Sequence, residues 1–335
     1  MSNDVILAGI IVVALAVYTL TGGADFGGGV LDALARGPRA QKQRDAIAHA
    51  IGPIWEANHV WLILVVVLLF STFPSAFAAI STALHIPLTV MLVGIVLRGT
   101  AFVFRAYDSQ APEVQRRWTR VFSSASIVTP IAIGMSAGAV ASGKILWTPE
   151  LGVTSGFFAG WTTAFAGFVG LFLLAQATLL AAVYLCLETS EELQEDFRVR
   201  AIGAAIIVGV TAFGTLFFAK TDAPGIWEGL TAGGSMLVFH AITGVTALGA
   251  IGALLKRKYV VARILVAAQV VLVLGGWAMA QYPFIIAPNL TFADAVASPT
   301  VTTPILVALA GGSVLLVPAF WYLYRVFKMK TDEQP

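Results

Sequence analysis

The chain has 335 residues, 58% apolar and 11% charged, with a formal net charge of +2, whereas an ordinary soluble domain carries about 25% charged residues. So few polar side chains cannot cover a water-facing surface, so the composition describes an all-α integral membrane protein with no polar stretch long enough for a separate soluble domain. The lone Cys186 excludes an intrachain disulfide and thiolate zinc or iron–sulfur centres, and the small net charge excludes a field that would gather nucleic acid.

The opening Met1-Ser2-Asn3-Asp4 lacks the positive region of a secretory signal, so the first apolar run is read as a retained helix. That run predicts a span over residues 5–35. Eight more runs predict spans over 53–73, 76–104, 121–141, 157–187, 201–219, 235–255, 261–281 and 303–327. Runs near 30 residues exceed what a bilayer needs and are expected to tilt or project. Of the 20 Lys and Arg, 17 fall on one set of alternate connections, from Arg36, Arg39, Lys42 and Arg44 to Arg325, Lys328 and Lys330. Only Lys144 and Lys220 lie on the other side. Positive loops face the cytoplasm, so the N-terminus is expected outside and the C-terminus inside. The acidic run Glu188, Glu191, Glu192, Glu195 and Asp196 is read as a solvated connector.

Three ionisable groups fall inside predicted spans, away from their tips: Asp25, Glu56 and Arg98. Each such group costs about 2.5–3.5 kcal/mol at mid-helix on insertion scales, and groups that persist there are paired, hydrated or functional. Asp25 lies 20 residues into the first span, about 30 Å along the helix, and so in the inner leaflet. Glu56 and His59 open the second span, three apart and expected on one helix face. Arg98 lies about two turns before the inner end of the third. The four share the cytoplasmic third, which points to a proton route, with a structural salt bridge from Arg98 to Asp25 or Glu56 as the plainer reading.

Gly22-Gly23-Ala24-Asp25-Phe26-Gly27-Gly28-Gly29 follows a membrane helix and lacks the G-x-G-x-x-G spacing of a dinucleotide loop. Gly23 and Gly27 have the small-xxx-small spacing of closely packed helices. His85 and His240 each offer an imidazole to a haem, but a lone membrane histidine is more often a hydrogen-bonded packing residue. Trp55 and Trp61 flank the second-span cluster as packing residues.

The run Trp55-Glu56-Ala57-Asn58-His59-Val60-Trp61, after the glycine-rich stretch around Asp25, resembles subunit II of the cytochrome bd quinol oxidases. Leu97-Arg98-Gly99 with Phe102 and Arg105 is similar to that family too. The resemblance implies two four-helix bundles plus one peripheral helix in a single polytopic domain over 1–335. The first bundle would cover about 5–141 and the remaining helices about 157–327. It implies a similarly folded partner, subunit I, that supplies the ligands of two b-type haems and one haem d and the quinol-oxidising loop. It also implies a small single-span accessory subunit, a pocket shared at the interface and surrounding lipid, with room for a structural quinone. Electrons would pass from quinol to O₂ with protons taken from the cytoplasm and no pumping, in a bacterial inner membrane. Carried onto this chain, Asp25, Glu56 and His59 are the expected proton path. Arg98, Trp55, Asn58, Gly23 and Gly27 are its electrostatic or packing support, and no haem or metal ligand is expected here. The enterobacterial pattern has Asp where this chain has Glu56 and Gln where it has His59. The competing readings are a proton-coupled secondary transporter, which would place its charges near the midplane in repeated broken helices, and a purely structural membrane subunit.

Overall fold

The computed structural model describes residues 2–52, 55–108, 111–231 and 233–328. Among them, nine helices are long and apolar enough to cross a membrane. The expected start of the second span at Pro53, and Lys330 of the last basic loop, lie outside the described residues.

Helix α1 (Asn3–Ala33) is the first span, and α2 (Ala40–Ile51) is an amphipathic helix that presses Ile47 and Ile51 against Gly28. The second span is built in two pieces, α3 (Trp55–Asn58) and α4 (Val60–Thr72). At their junction the His59 amide donates to the Glu56 carbonyl, three residues back, which tightens the turn. The stretch expected as one span over 76–104 is broken into α5 (Pro74–Ala83) and α6 (His85–Tyr107), of which α6 crosses. Phe73 and Leu84 leave helical backbone angles at either end of α5, and Pro74 and Pro87 both sit in a first turn, where a missing N–H costs nothing. Continuous hydrophobicity hid both breaks.

Helix α7 (Pro112–Ala141) leads to a hairpin of β1 (Trp147–Thr148) and β2 (Gly152–Val153). Helix α8 (Ala164–Glu188) starts later than the expected 157, because the Thr163 hydroxyl caps it by accepting the Ala166 amide; Phe157 and Phe158 stay exposed in the preceding loop. Helix α9 (Glu191–Asp222) starts earlier than expected. The supposed acidic connector is therefore mostly its first turns, where carboxylates suit the helix dipole. Then come α10 (Pro224–Thr231), α11 (Gly233–Leu255) and α12 (Tyr259–Gln281). Strands β3 (Phe284–Ile286) and β4 (Leu290–Thr291) form a second hairpin, followed by α13 (Phe292–Ala295) and α14 (Pro299–Lys328).

The core lies along α8, which packs against α1, α7, α9 and α12. Small residues bring these backbones close: a Cβ on Gly134 would stand 2.6 Å from Gly170 Cα, and one on Gly138 2.8 Å from Ala166 Cα. Helix α14 is peripheral. It touches the rest through Thr302, which accepts from the Asn3 amide at 3.1 Å, and through Phe320, whose ring centroid is 5.3 Å from that of Trp61.

Candidate functional site

The site lies where α1, the α3–α4 junction and α6 meet, toward the end that carries the basic loops. The Asn58 side-chain amide donates to Oδ2 of Asp25 at 2.8 Å, and both residues are buried. Successive helical residues turn by about 100°, so Asn58 points inward and Glu56, two residues earlier, points outward and is exposed. Glu56 is exposed whereas His59 is partly buried, and the inward position beside Asp25 goes to Asn58.

Arg98 is 1% exposed, the largest side chain so deeply buried. Its guanidinium carbon lies 5.1 Å from the ring centre of Phe26, 5.6 Å from Phe122 and 5.9 Å from Trp55. Trp55 fits there because Gly99 has no Cβ; one would stand 3.0 Å from its ring. The Arg98 nitrogens make no hydrogen bond to a carboxylate among the described residues, but the Asp25 carboxylate, held by Asn58, is close enough to act on the guanidinium charge through space. Three aromatic faces surround that charge as well.

The His59 ring lies tilted or edge-on among Tyr18, Phe26 and Trp55, at centroid distances of 5.9, 6.1 and 6.3 Å. Both His59 nitrogens, all three Arg98 nitrogens and the Tyr18 hydroxyl are buried, with no hydrogen-bond partner among the described residues. Buried polar atoms are nearly always satisfied, and a concentration of open ones marks a place for ordered water. The structure therefore brings Asp25, Asn58, His59, Trp55 and Arg98 into one polar nest and adds Tyr18, which sequence reasoning missed.

Asp32 was missed as well, since it sits near a span tip. It is fully buried and accepts from Arg105 at 2.6 Å, with Arg44 Nε at 3.6 Å. Its seven-residue spacing from Asp25 was the available signal. Of the paired glycines, Gly27 is a true contact point: a Cβ there would lie 2.5 Å from the Ala177 carbonyl carbon and 2.8 Å from Ala181 Cβ. Gly23 has ordinary room, with nothing nearer than 3.7 Å.

At the basic end, Asp196 of α9 takes both Nε and Nη2 of Arg39, at 2.8 and 2.7 Å, and the Gln43 amide at 2.7 Å. That carboxylate holds the Arg39 guanidinium above its ordinary range. The clasp ties the segment after α1 to α9.

His85 Nδ1 meets the Thr82 carbonyl and His240 Nε2 the Leu230 carbonyl, both at 2.9 Å on exposed residues. His59 is enclosed by aromatic rings elsewhere, and no group of three metal-ligating side chains occurs among the described residues. A separate cavity of about 510 Å³ runs between α1, α7, α8, α9, α11 and α12. Its walls are apolar, with Tyr18 and Phe26 at one side and Gln176 among its few polar groups. Gln176 is 3% exposed, and neither its Nε2 nor its Oε1 has a hydrogen-bond partner among the described residues.

These features define a multi-pass helical membrane protein that keeps ionisable groups buried near its basic end. The family model for cytochrome bd terminal oxidase subunit II matches residues 3–327, and the chain belongs to that family. It is 23% identical to a putative cytochrome bd menaquinol oxidase subunit II of Bacillus subtilis, over 93% of this chain and 91% of the relative. It is 31% identical to the cytochrome bd ubiquinol oxidase subunit 2 of the same organism, over 28% of this chain and only 27% of that relative's length. The bd oxidase of Geobacillus thermodenitrificans has the same fold, with a TM-score of 0.82 at 18% identity over 99% of this chain and all of that one.

Proposed function

We propose that this chain is the haem-free subunit of a bacterial quinol oxidase complex in the inner membrane, with its N-terminus outside and its basic end in the cytoplasm. It pairs with a haem-bearing subunit I, and a small single-span subunit and lipid complete the assembly. The haems carry electrons from quinol to oxygen, and this chain serves the protons. Uptake from the cytoplasm to the site of water formation makes the reaction electrogenic without pumping.

The observation that carries this reading is the polar nest of Asp25, Asn58, His59, Arg98 and Tyr18, buried at the basic end with six polar atoms that have no hydrogen-bond partner among the described residues. Water held by those atoms gives a proton a path through an otherwise apolar region. Arg98 supplies fixed positive charge, and Asn58 holds the Asp25 carboxylate in place. Glu56 lies outward on a spanning helix. A carboxylate exposed at that depth is accounted for by a partner surface better than by acyl chains, so Glu56 hands protons to subunit I. A transporter would set its charges near the midplane, which this arrangement does not do.

The cavity suits a structural quinone. Its volume lies within the range of about 300–1,000 Å³ typical of small-molecule sites, and the Gln176 amide would donate to a quinone carbonyl.

The deciding experiment is Glu56→Gln in the assembled, haem-loaded complex. Slowed oxygen consumption with unchanged haem spectra is expected. Wild-type turnover in Glu56→Gln and in Asp25→Asn would favour the purely structural reading.

A further inference from the structure

The nest has an approach that runs inside this chain. Tyr18, Asp25 and Asp32 follow each other at seven-residue intervals on α1, all buried. Each interval is two turns, about 10.5 Å, so the three share one face. Gly29 lies on that face between the two acids. A Cβ there would collide with the side chain of Ser126 on α7, so Ser126 occupies the notch that Gly29 leaves. Gly29 is three residues from Asp32 and four from Asp25, so the hydroxyl lies level between the two acids, about 4.5 and 6 Å of axial rise from each, a gap for intervening water.

Helix direction brings a second hydroxyl to the mouth. α6 runs parallel to α1, since Arg98 lies over Phe26 while Arg105 bonds Asp32. α6 and α7 are antiparallel, since Gly94 meets Thr129 while Phe102 meets Phe122. α1 and α7 are thus antiparallel, and Ser123 comes level with Asp32.

These two hydroxyls differ from others on the same helix. Thr129 and Ser136 donate to the carbonyls four residues back, Ala125 and Ala132, at 2.7 and 2.8 Å. That is the usual refuge of a hydroxyl in an apolar helix. Ser123 and Ser126 are as buried but have no hydrogen-bond partner among the described residues, and neither does Oδ1 of Asp32. A buried hydroxyl that declines its own backbone needs a donor or acceptor from outside the chain.

We infer that Ser123 and Ser126, with intervening water, form an internal inlet that carries protons from a mouth framed by Asp32, Arg44 and Arg105 to Asp25. Each hydroxyl accepts a proton from the water on its Asp32 side as it releases its own toward Asp25, so no charge remains on serine. The charged and titratable groups along the route are Arg44, Arg105, Asp32, Asp25, His59, Arg98 and Tyr18. The inference rests on the reading of this chain as the proton-handling subunit, and adds where its protons come in.

The test is Ser123→Ala/Ser126→Ala in the complete oxidase complex, with Ser126→Ala by itself should the double variant not assemble. Oxygen consumption is followed from pH 6 to pH 9. Loss of the inlet is expected to slow uptake at least about tenfold. Because uptake from bulk water scales with proton concentration, the alkaline decline of turnover then moves down by about one pH unit. A merely structural defect lowers turnover equally at every pH, and that result overturns the inlet. A normal profile here with slowed Glu56→Gln also overturns the inlet but leaves the proton-handling reading standing. Normal profiles in both overturn the inlet and the proton-handling reading together.

Discussion

Replacing Gly27 by alanine tests the seam between α1 and α8. The added Cβ would lie 2.5 Å from the Ala177 carbonyl carbon and 2.8 Å from Ala181 Cβ, whereas carbon atoms in contact stand about 3.5–4.0 Å apart. Helix α8 must retreat by about 1 Å, and overpacking of this kind costs about 1–3 kcal/mol. Alanine also recovers up to about 1 kcal/mol of helix propensity over glycine, which blurs a single measurement. Gly23→Ala removes the blur. It gains the same propensity, but its Cβ meets nothing nearer than 3.7 Å. The difference between the two variants is therefore the overpacking term alone, about 1–3 kcal/mol. Thermal unfolding of the purified complex, followed by intrinsic fluorescence at one heating rate, should give Gly27→Ala a midpoint several degrees below Gly23→Ala. Equal midpoints would refute the close approach at Gly27 and the register of α1 on α8.

Asp32→Asn leaves Arg105 without its counter-charge in a mostly buried place, where breaking a pair costs about 3–5 kcal/mol; a thermal midpoint unchanged from wild type would contradict the burial of that pair. Arg98→Lys keeps the charge but loses the flat guanidinium that lies over Phe26, Trp55 and Phe122. Each such contact contributes about 0.5–2 kcal/mol, so a lower midpoint is expected, and wild-type stability would sink the aromatic-cage description. Gln176→Leu should empty the cavity of any quinone it holds, read as loss of quinone from solvent extracts of the purified complex. Retention at wild-type stoichiometry would remove Gln176 from that role.

Much of the site was legible because membrane cost makes ionisable residues conspicuous. Asp25 and Arg98 stood out as charges in an apolar solvent, and counting residues along each span put them at one depth. Depth follows from the rise per residue and needs no tertiary information. Which way a side chain points is another matter. Asn58, an uncharged amide, looked like support and is the direct partner of Asp25. Glu56 looked like the inner acid and faces out, while Asn58, two residues on, takes the inward position beside Asp25. Asp32 was passed over since a carboxylate at a helix end is usually solvated; Arg44 and Arg105 bury it, and both come from other helices.

The sequence by itself determined the solvent, the number of spanning segments, the clustering of basic loops and the family, because each is written in composition, run length and local motif. Tertiary structure decided the break between α5 and α6, the tight contact at Gly27 rather than Gly23, and the aromatic setting of Arg98. It also left Tyr18, His59, Ser123, Ser126 and Gln176 with buried polar atoms that have no hydrogen-bond partner among the described residues. Those features depend on which helix faces which and at what rotation. A uniformly apolar sequence cannot encode that rotation locally, because in lipid every face of such a helix reads alike until small residues and polar atoms from a neighbour select one.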